Sequence, residues 1–276
     1  MKKIVNILTF HHIHNQQDSL SITPSIFEKL ISELKKNYTF ISYEDFTQII
    51  LGKKTPKKNS VLISIDDGYL DNYIYAYPIL KKLDVPAVIF LITNNILTSS
   101  TCRAKLLYFR THKELQINSD KKLFINKCEI QKMKNSGLIS FESHTTSHMV
   151  CKNINESVLK KEFSKSLEFI KDLDKKEFYG FCWPRGYFDK TALEVIKKFY
   201  SFSFSTIDGG HNFDDDLYTL KRIDCSSWNG NQKKYIARVK RKLFIYSTPF
   251  LSKFYSNFRE YQIKKKKARK IRAKQK

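Results

Sequence analysis

Residues 61–73 read VLISIDDGYLDNY: a mainly apolar run of strand length, broken only by the small Ser64, that leads directly into Asp66-Asp67-Gly68. A half-buried strand would alternate apolar with polar residues. A near-continuous apolar run is buried on both faces, which points to a parallel sheet covered by helices. The aspartate pair has two readings. Asp-Gly is common turn chemistry. Equally, two carboxylates at the carboxyl end of a buried parallel strand stand where α/β folds assemble their active sites.

Working outward, the same alternation recurs. Residues 4–10 (IVNILTF) form an apolar run, followed by a helical pattern over 24–36 in which Ile26, Leu30, Ile31 and Leu34 share a face. A helical stretch over 73–83 precedes the run AVIFLI at 87–92. Gly137 closes a short helix before LISF at 138–141. A longer helix fits 156–173, then come FYGFCW at 178–183, a helix over 190–199, SFSFS at 201–205 and LYTLKRI at 217–223. The fold class is α/β, and both an open doubly wound sheet and a closed barrel satisfy the pattern. Residues 93–126 are polar, basic and without a clean period, so they read as an insertion over one end of the sheet.

The chain has 276 residues, 41% of them hydrophobic and 14% aromatic, which excludes general disorder and allows one large domain over residues 1–230. No stretch approaches the roughly 20 apolar residues that span a bilayer. The start, MKKIVNILTF, has the lysines of a signal peptide, but its apolar run is short and no small-residue cleavage site follows, so a first strand is expected. Five scattered cysteines without a CxxC pair suggest unpaired thiols in a reducing compartment. The net charge of +23 is uneven: residues 231–276 hold seventeen Lys or Arg against Glu260 alone, so this segment reads as a basic, aromatic-rich tail, helical or disordered.

Three polar clusters each follow directly on a strand: Asp66-Asp67-Gly68, the run from Glu142 to His148, and Pro184-Arg185-Gly186-Tyr187. His11, after ILTF, is a fourth instance, and all four converge on one mouth of the fold. His144 and His148, four apart, can meet one metal if the backbone turns suitably. One aspartate and two histidines supply three ligands and leave a position open, as in catalytic zinc sites. The other aspartate is then free to act as a base. A buried carboxylate beside a like charge is costly, which favours a cation there.

SIDDGYLDNY together with ESHTTSH resembles the polysaccharide deacetylase family, the NodB-homology domain of carbohydrate esterase family 4, over roughly residues 6–222. The first family motif reads TFDDG, and the second sets a His followed by Ser or Thr ahead of a second His, which His144, Thr145 and His148 match. The resemblance implies a distorted (β/α) barrel, one divalent metal ion, usually zinc, and removal of N-acetyl groups from amino sugars. By position it implies Asp66 as catalytic base and Asp67, His144 and His148 as metal ligands.

The third family motif carries an Arg ahead of a Pro-Pro-Tyr-Gly turn. Here Cys182 stands at the Arg position and Arg185 at the Tyr position, while Pro184 and Gly186 keep the loop shape. Arg222, at another strand end, could orient the base instead, or be an ordinary core-edge arginine. The family's usual Leu-x-His near the C-terminus is absent, since no histidine follows His211. The subgroup resembling biofilm poly-N-acetylglucosamine deacetylases takes its general acid from a first-strand Leu-x-Tyr-His, and LTFH at 8–11 is similar. His11 is therefore the expected acid. His12 should point away from it, because side chains alternate along a strand, and His14 is read as loop decoration. A backbone N–H in the turn from Pro184 to Tyr187 is implied as the oxyanion donor.

The tail has three readings: a solubilising extension, a nucleic-acid contact, or attachment to an anionic membrane surface. The last, with no signal peptide, puts the chain in the cytoplasm on the inner membrane face, and a lipid-linked sugar precursor of a surface glycan would then be a natural substrate. Nucleic acid rests on the tail alone and is disfavoured. The expected function is a metal-dependent N-deacetylase of N-acetylated amino-sugar glycans or their lipid-linked precursors. The alternative, suggested by Cys182, is an inactive carbohydrate- or membrane-binding protein on the same scaffold.

Overall fold

The apolar runs become strands, and their two-sided burial is satisfied by closing the sheet on itself. The structure is a computed structural model that describes residues 5–16, 18–56, 59–106, 111–117, 120–211, 215–226, 228, 230–248, 250–252 and 254–255. In chain order the elements are β1 (Val5–Phe10), β2 (His12–Ile13), β3 (Ser21–Ile22), α1 (Pro24–Lys35), β4 (Thr39–Phe40), α2 (Tyr43–Ile50) and β5 (Ser60–Ile65). A π-helical turn (Asn72–Ala76) leads into α3 (Tyr77–Leu83), β6 (Ala87–Leu91), α4 (His112–Ile117), α5 (Lys127–Lys134) and β7 (Ile139–Ser143). Then follow α6 (Glu156–Leu173), β8 (Gly180–Cys182), α7 (Lys190–Ile196), β9 (Phe202–Asp208), β10 (Leu220–Asp224) and α8 (Gln232–Ser247).

Strands β5 to β10 pair in sequence order, all parallel, and β1 pairs with both β10 and β5. Seven strands therefore close a barrel, which decides between the two architectures the sequence leaves open. Period-2 alternation sorts their side chains. Ile7, Leu62, Val88, Phe90, Phe204 and Leu220 fill the interior, plugged from below by Phe46, Ile49 and Ile50 of α2. Leu8, Phe10, Ile63, Ile65, Ile89 and Ile223 face outward and pack under the helices. Helix starts follow local chemistry: Thr23 caps α1 ahead of Pro24, and Asn126 with Glu129 forms a capping box on α5.

Two expectations are revised. Cys102 and Cys128 are joined by a disulfide, while Cys151, Cys182 and Cys225 are free and buried. The pairing is not visible in the sequence. It arises because Arg103, bonded to the Glu129 carboxylate at 2.6 and 2.7 Å, and Asn126, bonded to the Thr101 carbonyl at 3.0 Å, fold residues 99–103 back onto α5. Disulfides persist in oxidising environments, so the cysteine argument for a reducing, cytoplasmic compartment is withdrawn. Second, the segment from residue 231 on is not all tail: α8 buries Tyr235, Ile236, Val239, Leu243 and Tyr246 against the body. No helix among the described residues is long and apolar enough to cross a membrane.

Candidate active site

The strand alternation that fills the barrel also builds its mouth. Continuing the inward positions past the last apolar layer reaches His11 after β1, Asp66 after β5, His144 after β7, Cys182 in β8 and Arg222 in β10. Register brings the first two together: Phe10 pairs with Ile65, and the Asp66 N–H donates to the Phe10 carbonyl at 2.9 Å. His11 Nε2 lies 3.7 Å from Asp66 Oδ2.

Asp66 is held by a fork. Arg222 donates from Nη1 to Oδ1 at 2.8 Å and from Nη2 to Oδ2 at 2.9 Å, while its Nε donates to the Ser205 carbonyl at 2.8 Å. Both side chains are buried. Bidentate guanidinium–carboxylate pairing fixes orientation as well as charge. Burial pushes the Asp66 carboxyl up, but Arg222, and then His11, outweigh it and hold it below its ordinary value. Arg222 thus occupies the orienting place that Cys182 cannot fill. Cys182 Sγ sits 3.7 Å from Asp66 Oδ2, beside the same carboxylate, so the charge has moved from β8 to β10.

Asp67 turns the other way because its backbone is left-handed, φ +75°, followed by Gly68 at φ +74°, where an added Cβ would meet Leu91 Cδ2 at 2.7 Å. Its Oδ1 lies 3.4 Å from Nε2 of His144 and 3.4 Å from Nε2 of His148. The loop does not make a helical turn to achieve this. Thr145 and His148 take φ of +65° and +60°, and Glu162 clamps the loop from α6 by accepting from the Thr146 N–H at 3.0 Å and the Ser147 hydroxyl at 3.0 Å. Asp67, Thr145, His148 and Arg185 are four of the seven non-glycine residues with positive φ among those described, and such strain gathers at functional sites.

The donor set fits a divalent cation. His144 Nδ1 donates to the Cys182 carbonyl at 2.8 Å, which leaves Nε2 facing Asp67, the orientation a metal ligand needs. Both Asp67 oxygens are buried, and neither has a well-formed hydrogen bond among the described residues. An orphaned buried carboxylate is expensive unless a cation compensates it. Burial lowers His148 to about 4 despite Asp67, so its imidazole is neutral at ordinary pH. At His144 burial is outweighed by Cys182 and Asp67, which raise it well above its ordinary value, so without a cation Nε2 holds a proton toward Asp67, and a bound cation would take that proton's place.

Of the remaining expected residues, Arg185 and Tyr187 are exposed in and just after the turn Pro184–Gly186. The Arg185 charge reaches His148, and neither side chain has a bond to Asp66 or Asp67. His12 points outward, as alternation requires, and donates from Nδ1 to Asp71 Oδ2 at 2.6 Å. His14 is not loop decoration, because it is buried beside His12. Three participants were not singled out from the sequence. Ser226 holds His11 Nδ1 at 3.0 Å, Asn72 donates to the His11 carbonyl at 2.9 Å, and His112 comes from the 93–126 excursion to within 6.1 Å of the His11 ring. Asn72 belongs to the motif DDGYLDN, so its proximity was a usable signal, whereas nothing local marks Ser226 or His112.

A closed parallel barrel with a carboxylate pair and a His-x3-His pair on its carboxyl-end rim defines the deacetylase class of (β/α) barrels. Residues 53–200 match the family model for polysaccharide deacetylase, and the chain belongs to that family. It is 33% identical over 235 residues to a poly-beta-1,6-N-acetyl-D-glucosamine N-deacetylase of Staphylococcus aureus, covering 79% of this chain and 72% of the relative. Similar solved structures include IcaB from Ammonifex degensii (TM-score 0.68, 16% identity, 87% of this chain and 97% of that one). Another is the Streptococcus pyogenes deacetylase PplD in complex with acetate (TM-score 0.69, 22% identity, 86% and 98%). At these identities both bear on the fold alone.

Proposed function

We propose that the protein is a metal-dependent amide hydrolase that removes acetyl groups from N-acetylated amino sugars of a surface glycan. The observation that carries this reading is the division of labour between the adjacent carboxylates. Asp66 is locked by Arg222 and kept ionised, while Asp67 faces two imidazoles and has no arginine or lysine paired with it among the described residues. Asp67, His144 and His148 would hold the ion, for which zinc suits the mixed imidazole–carboxylate set. When bound, such an ion polarises an amide carbonyl and lowers the pKa of water from ~16 toward ~7.

The protein's own groups supply the rest. Asp66, ionised and oriented, takes the proton of the attacking water. His11, with Nδ1 on Ser226 and Nε2 toward Asp66, donates a proton to the departing sugar amine. Of the N–H groups in the Pro184 turn, those of Gly186 and Tyr187 donate to the Trp183 and Pro184 carbonyls, so the oxyanion donor from this turn is the N–H of Arg185. The similarity to a poly-beta-1,6-N-acetyl-D-glucosamine N-deacetylase favours a β-1,6-linked N-acetylglucosamine chain as substrate. Cys182 gave the inactive-scaffold alternative its motive, and the Arg222 fork on Asp66 supports the catalytic reading instead.

Membrane attachment is carried forward as part of the proposal. Phe244, Phe250 and Phe254 are exposed within a stretch rich in Lys and Arg, a composition suited to anionic lipid. A cytoplasmic inner-face location has no further support. The test of function is acetate release from an N-acetylglucosamine oligomer by the zinc-reconstituted chain and by His148→Ala. Release by the first and not by the second is expected, and equal release by both would remove the assigned centre.

A further inference from the structure

Four of the seven histidines, His11, His12, His14 and His112, gather at the end of β1. The catalytic reading uses only His11. The barrel wall divides the others from the mouth: His11 faces in, and His12 faces out toward the helix layer. There it meets Asp71, which follows the DDG turn. His12 and His14 are each 2% exposed and Asp71 is 4% exposed.

We propose that His12, His14 and Asp71 form a second cation site, outside the barrel wall, for a borderline transition-metal ion such as zinc. Each residue offers a ligand atom, and these atoms lie within 4.8 Å of one another, as do those of the Asp67, His144 and His148 set. The composition is also the same, one carboxylate and two imidazoles. Ligand atoms around a tetrahedral zinc, at about 2.0–2.2 Å from it, stand roughly 3.3–3.6 Å apart. Small side-chain rotations therefore close the cluster.

His12 Nδ1 and Asp71 Oδ2 stand 2.6 Å apart with one proton between them, and the His14 ring packs beside His12. Metal ligands bind deprotonated, so an ion entering here would displace that proton and take Nδ1 and Oδ2 together, with the ring proton carried on Nε2. Asp71 is itself steadied by the Ile13 N–H at 3.1 Å and by Asn72 Nδ2 at 2.8 Å, so its carboxylate is fixed before any ion arrives. Asn72 also holds the His11 carbonyl. An ion here would thus tie down the backbone that carries His11, without touching substrate.

The test is metal stoichiometry of the full-length chain, stripped with chelator and dialysed against buffered, low free zinc. Two equivalents are expected for the wild type and one for Asp67→Asn/His148→Ala, which vacates the first site and so reports on the second alone. His14→Gln should hold one, and all three substitutions together none. A wild type with one equivalent and an Asp67→Asn/His148→Ala chain with none would overturn the proposal while leaving the catalytic centre intact. So would an unchanged stoichiometry in His14→Gln. If His14→Gln fails to fold by circular dichroism, the vacated chain decides: one equivalent supports the second site, and none sinks it. Cobalt substituted for zinc in that chain should give visible absorption that His12→Gln abolishes.

Discussion

Replacing Arg222 with Gln removes the fork that holds Asp66 and leaves the carboxylate buried with no guanidinium. Two unit charges at ~4 Å in an effective dielectric of about 20 interact by roughly 4 kcal/mol. Removing one partner of a buried pair costs about 3–5 kcal/mol of stability. At about 2–4 °C per kcal/mol for a domain of this size, the melting temperature should fall by roughly 10 °C. The catalytic consequence has a definite sign. Burial raises the Asp66 carboxyl, and Arg222 is the leading influence that brings it down. Without Arg222 the carboxyl titrates at higher pH, so the acid limb of the kcat/KM profile should move upward. The assay is amine release from an N-acetylglucosamine oligomer across pH, alongside thermal unfolding. Arg222→Lys should keep the charge but lose the fork, and recover only part of the activity. Cys182→Arg placed on Arg222→Gln should restore activity further, because Cys182 Sγ already lies 3.7 Å from Asp66 Oδ2. A pH profile for Arg222→Gln that superimposes on the wild type would refute the positioning role.

Three further outcomes are expected. His11→Gln should lower kcat by ~10²–10⁴ with little change in KM, as for loss of a positioned acid, and kinetics on the same oligomer check it. His211 is buried and its pKa lowered to about 4 from 6.5, mainly by burial. The unfolded chain then binds the extra proton, so stability is full above 6.5 and is lost as pH falls; His211→Gln should recover about 2 kcal/mol of the loss between pH 6.5 and roughly pH 5, read by urea unfolding. The Cys102–Cys128 bridge closes a loop over a separation of 26 residues, so Cys102→Ser/Cys128→Ser should cost about 3.5 kcal/mol in the same assay.

Strands and helices of this barrel were legible wherever burial alone decides structure. The run at 61–65 became β5, Ser60–Ile65, and the helical period over 156–173 became α6, Glu156–Leu173. Closure was not legible, because nothing in IVNILTF says that β1 takes neighbours on both edges. The site was legible where motif and strand end coincide, at Asp66, Asp67, His144 and His148. It was hidden where the third dimension selects the partner. Arg222 could be recognised as the orienter only once inward alternation put it across the mouth from Asp66. His14, followed by Asn15, Gln16 and Gln17, looked like loop material until the fold set Asp71 beside His12. Cys102 and Cys128 carried no spacing signal, because the salt bridge of Arg103 to Glu129 is what brings their segments together.

The most direct test of the catalytic assignment is acetate release by Asp66→Asn, measured beside its bound metal. Metal content equal to the wild type with no acetate released is the expected result. A variant that keeps its metal and still releases acetate at the wild-type rate would contradict the assignment of Asp66 as the base.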